Sequence, residues 1–239
     1  MDLLIGNGGD DVLLGQGSSN DTLMGGPGND IINGGAGTDI VTEQADSDFT
    51  LTNQGLVGNG IDILRGVEQA VITGGPSANR LDASAFFFPD GVCSVTLNGG
   101  GGDDTLIASP CNDVVFGGSG DDLMFGGAGN DFMGGQGGRD TMWGQAGDDK
   151  VNGQGSSGDQ ISGGPGNDRL FGGPGVDRLF ESTGGDVTLF ATVMTGATGK
   201  DRVFELEVVR LATGDADDRI DLSGFSLAYS VITTGGGDD

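Results

Sequence analysis

The chain has 239 residues, of which 52 are glycine, and 36 acidic residues against 10 basic ones give a net charge of −26 with no histidine. Such a polyanion repels nucleic acid and anionic membrane surfaces, so its natural partner is a cation. The sequence has no apolar run of about 18 residues, the length that would predict a membrane-spanning helix. No N-terminal signal peptide is visible.

Glycine recurs at a nine-residue period in two arrays. We assign residues 1–51 to the first array and residues 99–189 to the second, with units such as GGPGNDIIN (25–33) and GGAGNDFMG (126–134). Position six of a unit is aspartate, and position eight is apolar in all but the two end units. The apolar position-eight residues are Leu13, Leu23, Ile32, Val41, Leu106, Val115, Met124, Met133, Met142, Val151, Ile161, Leu170 and Leu179.

A linking segment follows each array, and the two segments resemble each other. Residues 52–98 and 190–234 alternate polar with apolar and β-branched residues, which predicts two β-rich linking modules. Asp62 matches Asp201 and Glu68 matches Glu207, so the chain is about 1.7 copies of a longer unit. Residues 235–239 begin a truncated further repeat, and we expect the chain to be cut from a longer repetitive protein.

The nonapeptide predicts a turn followed by a short strand. Six glycine-rich residues form a turn because glycine adopts positive φ freely, and three residues form a strand whose middle side chain points inward. Two units then make a flattened coil of about 18 residues, and coils stack about 4.8 Å apart. The predicted fold is all-β, a right-handed parallel β-roll (β-solenoid) that the linking modules continue.

Stacking places the position-six carboxylates of successive coils above one another, with turn carbonyls around them. Without a cation, each edge of the roll is a ladder of like charges. Ca²⁺ takes six to eight oxygen ligands, whereas Mg²⁺ demands tighter geometry and Zn²⁺ prefers His or Cys. We therefore predict several Ca²⁺ ions, on the order of eight to ten, and a metal-free chain that is largely unfolded.

The GGxGxDxUx pattern closely resembles the RTX, or hemolysin-type calcium-binding, nonapeptide repeat family. In that family the position-six aspartate and turn carbonyls ligate calcium, and the chain folds when it meets calcium outside the cell. The resemblance therefore implies a secreted or cell-surface (extracellular) protein. Its implied metal ligands here are Asp11, Asp21, Asp30, Asp39, Asp48, Asp104, Asp113, Asp122, Asp131, Asp140, Asp149, Asp159, Asp168, Asp177 and Asp186.

Cys93 and Cys111 are 18 residues apart, which is one coil, and both fall at position four of a unit. Stacking would bring their Cα atoms within the range of a disulfide, which an oxidising extracellular setting would favour. The alternative is that both are unpaired small hydrophobic residues.

These features favour a non-catalytic calcium-binding β-roll, which could serve as a spacer, an adhesin stalk, a surface layer or a folding aid for an attached domain. As an alternative, the chain is the calcium-dependent part of a larger secreted enzyme, since RTX arrays accompany proteases, lipases and epimerases. A chain without histidine cannot form a Ser-His-Asp or Cys-His set. We therefore expect no catalytic residue and no enzyme activity in this chain.

A flat ice-binding or surface-binding face is a further alternative, and it would need a regular row of Thr or Asn. The outward positions seven and nine vary too much for such a row. The apolar residues at position nine of the second array could instead pack against a partner or against a linking module. These residues are Phe116, Phe125, Trp143, Phe171 and Phe180.

Overall fold

The computed structural model describes residues 1–88 and 92–183, followed by the strands at 187–190, 193–196, 199–204, 208–213, 220–224 and 229–233; beyond residue 180 it describes the backbone alone. The described residues form 26 β-strands, and no α-helix is present among them. Within this part of the chain, nothing helical is long and apolar enough to cross a membrane.

The strands before residue 89 are mostly three to six residues long. They are β1 (Leu3–Ile5), β2 (Val12–Leu14), β3 (Thr22–Met24), β4 (Ile31–Asn33), β5 (Ile40–Gln44), β6 (Phe49–Thr52), β7 (Gly55–Val57), β8 (Ile61–Arg65), β9 (Gln69–Thr73) and β10 (Arg80–Ala85).

The strands that follow include several that continue into the next turn. They are β11 (Ser94–Gly101), β12 (Thr105–Ile107), β13 (Val114–Ser119), β14 (Leu123–Ala128), β15 (Phe132–Gly137), β16 (Thr141–Ala146), β17 (Lys150–Asn152), β18 (Gln160–Ser162), β19 (Arg169–Phe171), β20 (Arg178–Thr183), β21 (Val187–Phe190), β22 (Val193–Gly196), β23 (Gly199–Phe204), β24 (Val208–Thr213), β25 (Ile220–Gly224) and β26 (Tyr229–Thr233).

Successive strands alternate between two 13-stranded sheets. The first sheet has the order β1-β3-β5-β9-β11-β13-β15-β17-β19-β23-β22-β21-β25, and the second has the order β2-β4-β8-β7-β6-β10-β12-β14-β16-β18-β20-β24-β26. Most neighbours are parallel and one coil apart, as when Leu106 of β12 pairs with Met124 of β14. The chain therefore winds as a parallel β-roll, which confirms the predicted fold.

The core of the roll is a thin layer between the two sheets. Every apolar position-eight residue of the two arrays is at most 5% exposed, and most are fully buried. Their neighbours at positions seven and nine face outward, because side chains alternate along a strand. The prediction that the middle residue of each short strand points inward is confirmed.

The first linking segment widens the second sheet. Strands β6, β7 and β8 form an antiparallel meander, which enters between β4 and β10. Its interior is bulkier than that of the arrays, with Phe49, Leu51, Leu56 and Phe86 all at most 1% exposed. The continuation of the roll is thus a three-stranded insertion.

The second linking segment repeats this topology in the other sheet. Strands β21, β22 and β23 are antiparallel and enter the first sheet between β19 and β25. The two meanders start 15 strands apart. Because strands alternate between the sheets outside the meanders, this odd number of strands places the second meander in the opposite sheet. The division of the chain into arrays and linking modules stays a prediction, and the truncated repeat at 235–239 lies outside the described residues.

A disulfide joins Cys93 and Cys111 across one coil, just after the first linking segment. Their Cα atoms are 5.7 Å apart, and both residues are buried. The bridge ties the chain entering β11 to the turn before β13.

Candidate metal centre

The glycine-rich turns stack so closely that a side chain would overlap the next coil at several of their positions. Gly118 and Gly120 have φ of 116° and 126°, which L-residues with a side chain rarely adopt. A Cβ on Gly118 would overlap the carbonyl oxygen of Gly100, and a Cβ on Gly120 would overlap that of Gly102. Turn carbonyls of successive coils therefore lie close together along each edge of the roll.

One oxygen of each position-six carboxylate holds the preceding coil. The backbone N–H of Asp104 donates to Oδ1 of Asp122 at 2.8 Å, and that of Asp122 donates to Oδ1 of Asp140 at 2.9 Å. The same bond joins Asp131 to Asp149 on the other edge. The position-six carboxylates therefore form two rows. Row 1 consists of those that precede the strands of the first sheet, and row 2 consists of those that precede the strands of the second sheet.

Row 1 contains Asp21, Asp39, Asp113, Asp131, Asp149 and Asp168, and row 2 contains Asp30, Asp104, Asp122, Asp140, Asp159 and Asp177; all are at most 3% exposed. Asp11 begins row 2 and is half-buried. Asp186 lies outside the described residues. The structure thus brings most of the predicted ligands together in two buried rows.

The second oxygen of these carboxylates is buried without a hydrogen-bond donor. This holds for Oδ2 of Asp11, Asp21, Asp30, Asp39, Asp104, Asp122, Asp131, Asp140, Asp149 and Asp159. In each unit the oxygen lies against the position-one glycine, as Oδ2 of Asp122 lies against Gly117. A buried anionic oxygen without a partner is costly. Carboxylate and carbonyl oxygens are the ligands that suit a hard cation such as Ca²⁺.

Burial raises the pKa of several position-six carboxyls of the second array above the usual value of an aspartate. Because of burial, and then of neighbouring aspartates in the row, the pKa is about 7 for Asp122 and Asp159 and about 8 for Asp131. The backbone N–H donor to each carboxylate offsets only part of this rise. The charged rows are therefore unfavourable in the folded chain unless a cation neutralises them.

Asp113 differs from the other members of row 1. Its Oδ1 accepts the N–H of Val95 at 2.6 Å, and its Oδ2 accepts both the N–H and the hydroxyl of Ser109 at 2.7 Å. Its unit, ASPCNDVVF, lacks the three glycines. Internal donors thus occupy the oxygen that is open elsewhere, so Asp113 is placed in the row but is not poised for a cation.

Asp48 is not brought to the buried rows. Its side chain is exposed, and its Oδ1 accepts the N–H of Arg80 at 2.8 Å. Asp62, 2% exposed, instead continues row 2 by accepting the N–H of Asp30 at 2.9 Å. The meander shifts the nonapeptide phase, so the carboxylate next in the row comes from β8.

Glu68 continues row 1 in the same way, since its Oε2 accepts the N–H of Asp39 at 3.0 Å. Sequence reasoning did not assign Asp62 and Glu68 to the rows. The available signal was that both recur in the second copy, as Asp201 and Glu207.

Asn79 also went unrecognised as a row residue. It occupies position six of GGPSANRLD (74–82), and its N–H donates to Oδ1 of Asp104 at 2.7 Å. Its own Oδ1 accepts the N–H of Gly75. Row 2 is therefore neutral at this coil, and the Gly-Gly-Pro opening of the unit was the signal that could have revealed it.

Position five forms a second, outer set of bonds that runs in the opposite direction. Oδ1 of Asp103 accepts the N–H of Asp121, and Oδ1 of Asp121 accepts the N–H of Arg139, both at 2.8 Å. Asparagine serves equally well, as when Asn112 accepts the N–H of Asn130. Within a pair of adjacent acids such as Asp121 and Asp122, the first therefore accepts the outer hydrogen bond of the turn and the second accepts the inner one.

In the described part of the chain, no group of three or more His, Cys, Asp or Glu side chains is arranged to hold an ion.

The repeat and its geometry agree with the comparison to known families. A model of the RTX calcium-binding nonapeptide repeat matches residues 2–17, 16–49, 98–133, 125–157 and 154–187, which together cover more than half of the chain. The chain therefore belongs to the RTX calcium-binding nonapeptide repeat family.

Other comparisons add little. None of the curated proteins matches the chain. Among solved structures, the extracellular lipase LipA from Serratia marcescens is similar at 17% identity and a TM-score of 0.18. The match covers 84% of this chain and 37% of the lipase, so the chain spans little more than a third of that protein. So low a TM-score carries no argument about function.

Proposed function

We propose that this chain is a non-catalytic calcium-binding β-roll whose folding is driven by Ca²⁺ held between stacked turns. The observation that carries the proposal is the set of ten buried Oδ2 atoms without a donor, each beside a glycine of its own turn. The ligands would be these oxygens together with turn carbonyls. Bound Ca²⁺ supplies positive charge and accepts several oxygen ligands at once.

The carboxylates of the rows have two roles in this proposal. Oδ1 fixes the spacing between coils, because it accepts a backbone N–H from the preceding coil. Oδ2 carries the charge that has no partner in the chain. Binding a cation there converts repulsion along the row into attraction, so binding free energy becomes folding free energy.

The proposal places the chain outside the cell. Membership of the RTX family supports secretion, and the Cys93–Cys111 disulfide suits an oxidising compartment. The absence of histidine from the sequence supports a binding or structural role rather than catalysis in this chain. A role within a larger secreted protein fits both points.

Far-UV circular dichroism in EDTA, followed by calcium titration with magnesium as control, tests the proposal. A transition from coil to β-structure with calcium and not with magnesium is the expected result. A chain with full β-structure in EDTA, unchanged by calcium, would refute calcium-driven folding.

A further inference from the structure

The outer face of the second sheet carries a row of large side chains at position nine of its strands. Phe125 of β14 and Trp143 of β16 are neighbours in register, and their rings stack with centroids 4.9 Å apart and planes 10° from parallel. Both rings are only partly buried. They therefore stand on the sheet with their edges toward solvent.

Ser162 interrupts this row and opens a gap on the far side of Trp143. Trp143 pairs with Ser162, and the pairing of Ile161 with Leu179 puts Phe180 next in the row. A cavity of about 110 Å³ lies in the gap and is lined by Thr141, Met142, Trp143, Gln160, Ile161 and Phe180. Its volume is comparable with cavities that take up a single six-membered ring.

The width of the gap is suited to a single ring. Trp143 and Phe180 stand two strands apart, which is about 9.6 Å at the usual strand spacing. Two carbon–carbon contacts of about 3.5–4.0 Å use about 7–8 Å of this distance. The remainder, about 2 Å, is less than a further contact distance, so the gap admits one ring between the two side chains and not two.

The polar side chains that line the gap are uncharged, although Arg178 pairs with Gln160 beside it. Thr141 and Gln160 line the cavity itself, and a neighbouring depression beside Trp143 is lined by Gln145 and Ser162 among others. No acidic or basic side chain lines either space. Hydroxyl and amide groups beside an aromatic face match the hydroxyls and C–H groups of a neutral sugar.

Gln145 stands where the fold favours glycine. Its φ is 75°, whereas the corresponding positions one coil before and after are Gly127 and Gly164, with φ of 110° and 92°. A side chain in this conformation costs free energy. Gln16, Gln136 and Gln154 adopt a similar conformation in other units, and at Gln145 the side chain lies at the edge of the depression beside Trp143.

We propose that the gap between Trp143 and Phe180, over Gln160 and Ile161 of β18, binds one pyranose ring of an uncharged polysaccharide. The ring stacks on the face of Trp143 that is turned away from Phe125. Gln145, Gln160 and Thr141 supply hydrogen bonds to its hydroxyls. The site lies on the strands rather than in the turns, so it is separate from the aspartate rows.

Tryptophan fluorescence of the full, calcium-saturated chain tests this directly, because Trp143 is its one tryptophan. The probes are cellohexaose, maltohexaose and chitohexaose, with an oligogalacturonate as the anionic comparison. We expect a saturable change in emission with at least one neutral probe and none with the anionic one.

Ser162→Phe closes the gap with a third aromatic ring, and Ser162→Leu does so with a smaller group. Each is expected to weaken sugar binding by tenfold or more. Asn152→Phe is the matched control: Asn152 is at position nine of β17, in the first sheet, and its change leaves affinity within twofold of the wild type. Circular dichroism in calcium establishes that each variant is folded.

Three results would overturn the proposal. One is an emission spectrum unchanged by all three neutral probes. Another is equal sugar affinity of the wild type and the folded Ser162 variants. The third is an emission that changes with protein concentration alone, which would make this face an interface between copies of the chain. Each result leaves the proposed calcium function intact, since that is read by circular dichroism.

Discussion

The backbone N–H of Asp104 donates to Oδ1 of Asp122, 2.8 Å away and one coil further along the chain, while Oδ2 of the same carboxylate has no donor. One side chain thus combines a structural bond with an unneutralised charge. The bond favours the folded roll at any calcium level, whereas the charge favours it only when a cation is bound.

Asp122→Asn separates these two effects, because asparagine keeps the Oδ1 acceptor and removes the charge. We expect the variant to show more β-structure than the wild type in EDTA, since a buried charge is gone. In calcium it should require a calcium concentration roughly tenfold higher for half-maximal folding, which corresponds to about 1.4 kcal/mol. Calcium titrations followed by circular dichroism measure both.

Asp121→Asn is the matched control for this prediction. Asp121 is exposed and uses its Oδ1 for the outer bond to Arg139, so the same change in charge leaves the inner row intact. Its calcium midpoint should stay close to that of the wild type. An equal shift in both variants would mean that net charge, rather than the inner row, governs calcium dependence.

Gly117→Ala tests the requirement for glycine at position one. The new Cβ would overlap Oδ2 of Asp122 and lie 2.9 Å from the carbonyl oxygen of Gly135. We expect the free energy of unfolding in calcium to fall by about 1–3 kcal/mol. Gly137→Ala provides the comparison, since its Cβ would meet only the Gly118 carbonyl oxygen at 3.7 Å. It should change stability by no more than about 0.5 kcal/mol.

Without calcium, acidification should stabilise the roll. The pKa is about 7 for Asp122, about 8 for Asp131 and about 7 for Asp159, against 3.8 for an ordinary aspartate. The folded chain therefore binds more protons than the unfolded chain between about pH 4 and pH 8. This stabilisation is fully present below about pH 4 and is lost as the pH rises through the folded pKa values.

The β-structure signal in far-UV circular dichroism, recorded in EDTA at pH 5 and pH 8, measures this effect, and it should be larger at pH 5. With calcium present the trend should reverse, and the calcium concentration for half-maximal folding should be higher at pH 5, because protons compete with the ion for the carboxylates. A β-structure signal in EDTA that grows from pH 5 to pH 8 would contradict the burial of the rows.

Asp62→Ala tests which residue continues row 2 through the meander. The change leaves the buried N–H of Asp30 without its acceptor, which should cost about 1–3 kcal/mol. Asp48→Ala removes an exposed carboxylate and should have a much smaller effect. Chemical denaturation in calcium compares the two, and equal losses would be inconsistent with the geometry.

The coil that carries the disulfide should depend least on calcium. Asp113 is satisfied by Val95 and Ser109, and Cys93–Cys111 closes a loop of 18 residues, worth about 3 kcal/mol. Hydrogen exchange in EDTA should show residual protection in β11 and β13 that is absent from β14 to β18. Reduction of the disulfide should abolish it, and uniform exchange before reduction would refute this prediction.

The regular part of the molecule could be read from the sequence, because one short pattern repeats in phase. Leu106 and Met124 share position eight, and the structure places both in the core. Asp104 and Asp122 share position six, and the structure places both in row 2. Period, burial and stacking all follow from the geometry of a nine-residue turn and strand.

The irregular part could not be read in the same way. Asp62 lies in the third strand of the meander, whose length sets where its carboxylate falls, and no local pattern encodes that length. Asp113 is the usual aspartate of position six, but Ser109 donates two hydrogen bonds to the oxygen that is open in the other units. In both cases a hydrogen-bond partner distant from the motif, or hidden in a degenerate unit, decides the role of the side chain.

Equilibrium dialysis of the full chain against calcium, with bound ion counted by atomic absorption, tests the central claim most directly. The claim predicts several ions per chain, retained against an excess of magnesium, with fewer ions on the Asp122→Asn variant than on the wild type. A chain that is folded by circular dichroism yet holds less than one calcium ion would contradict it.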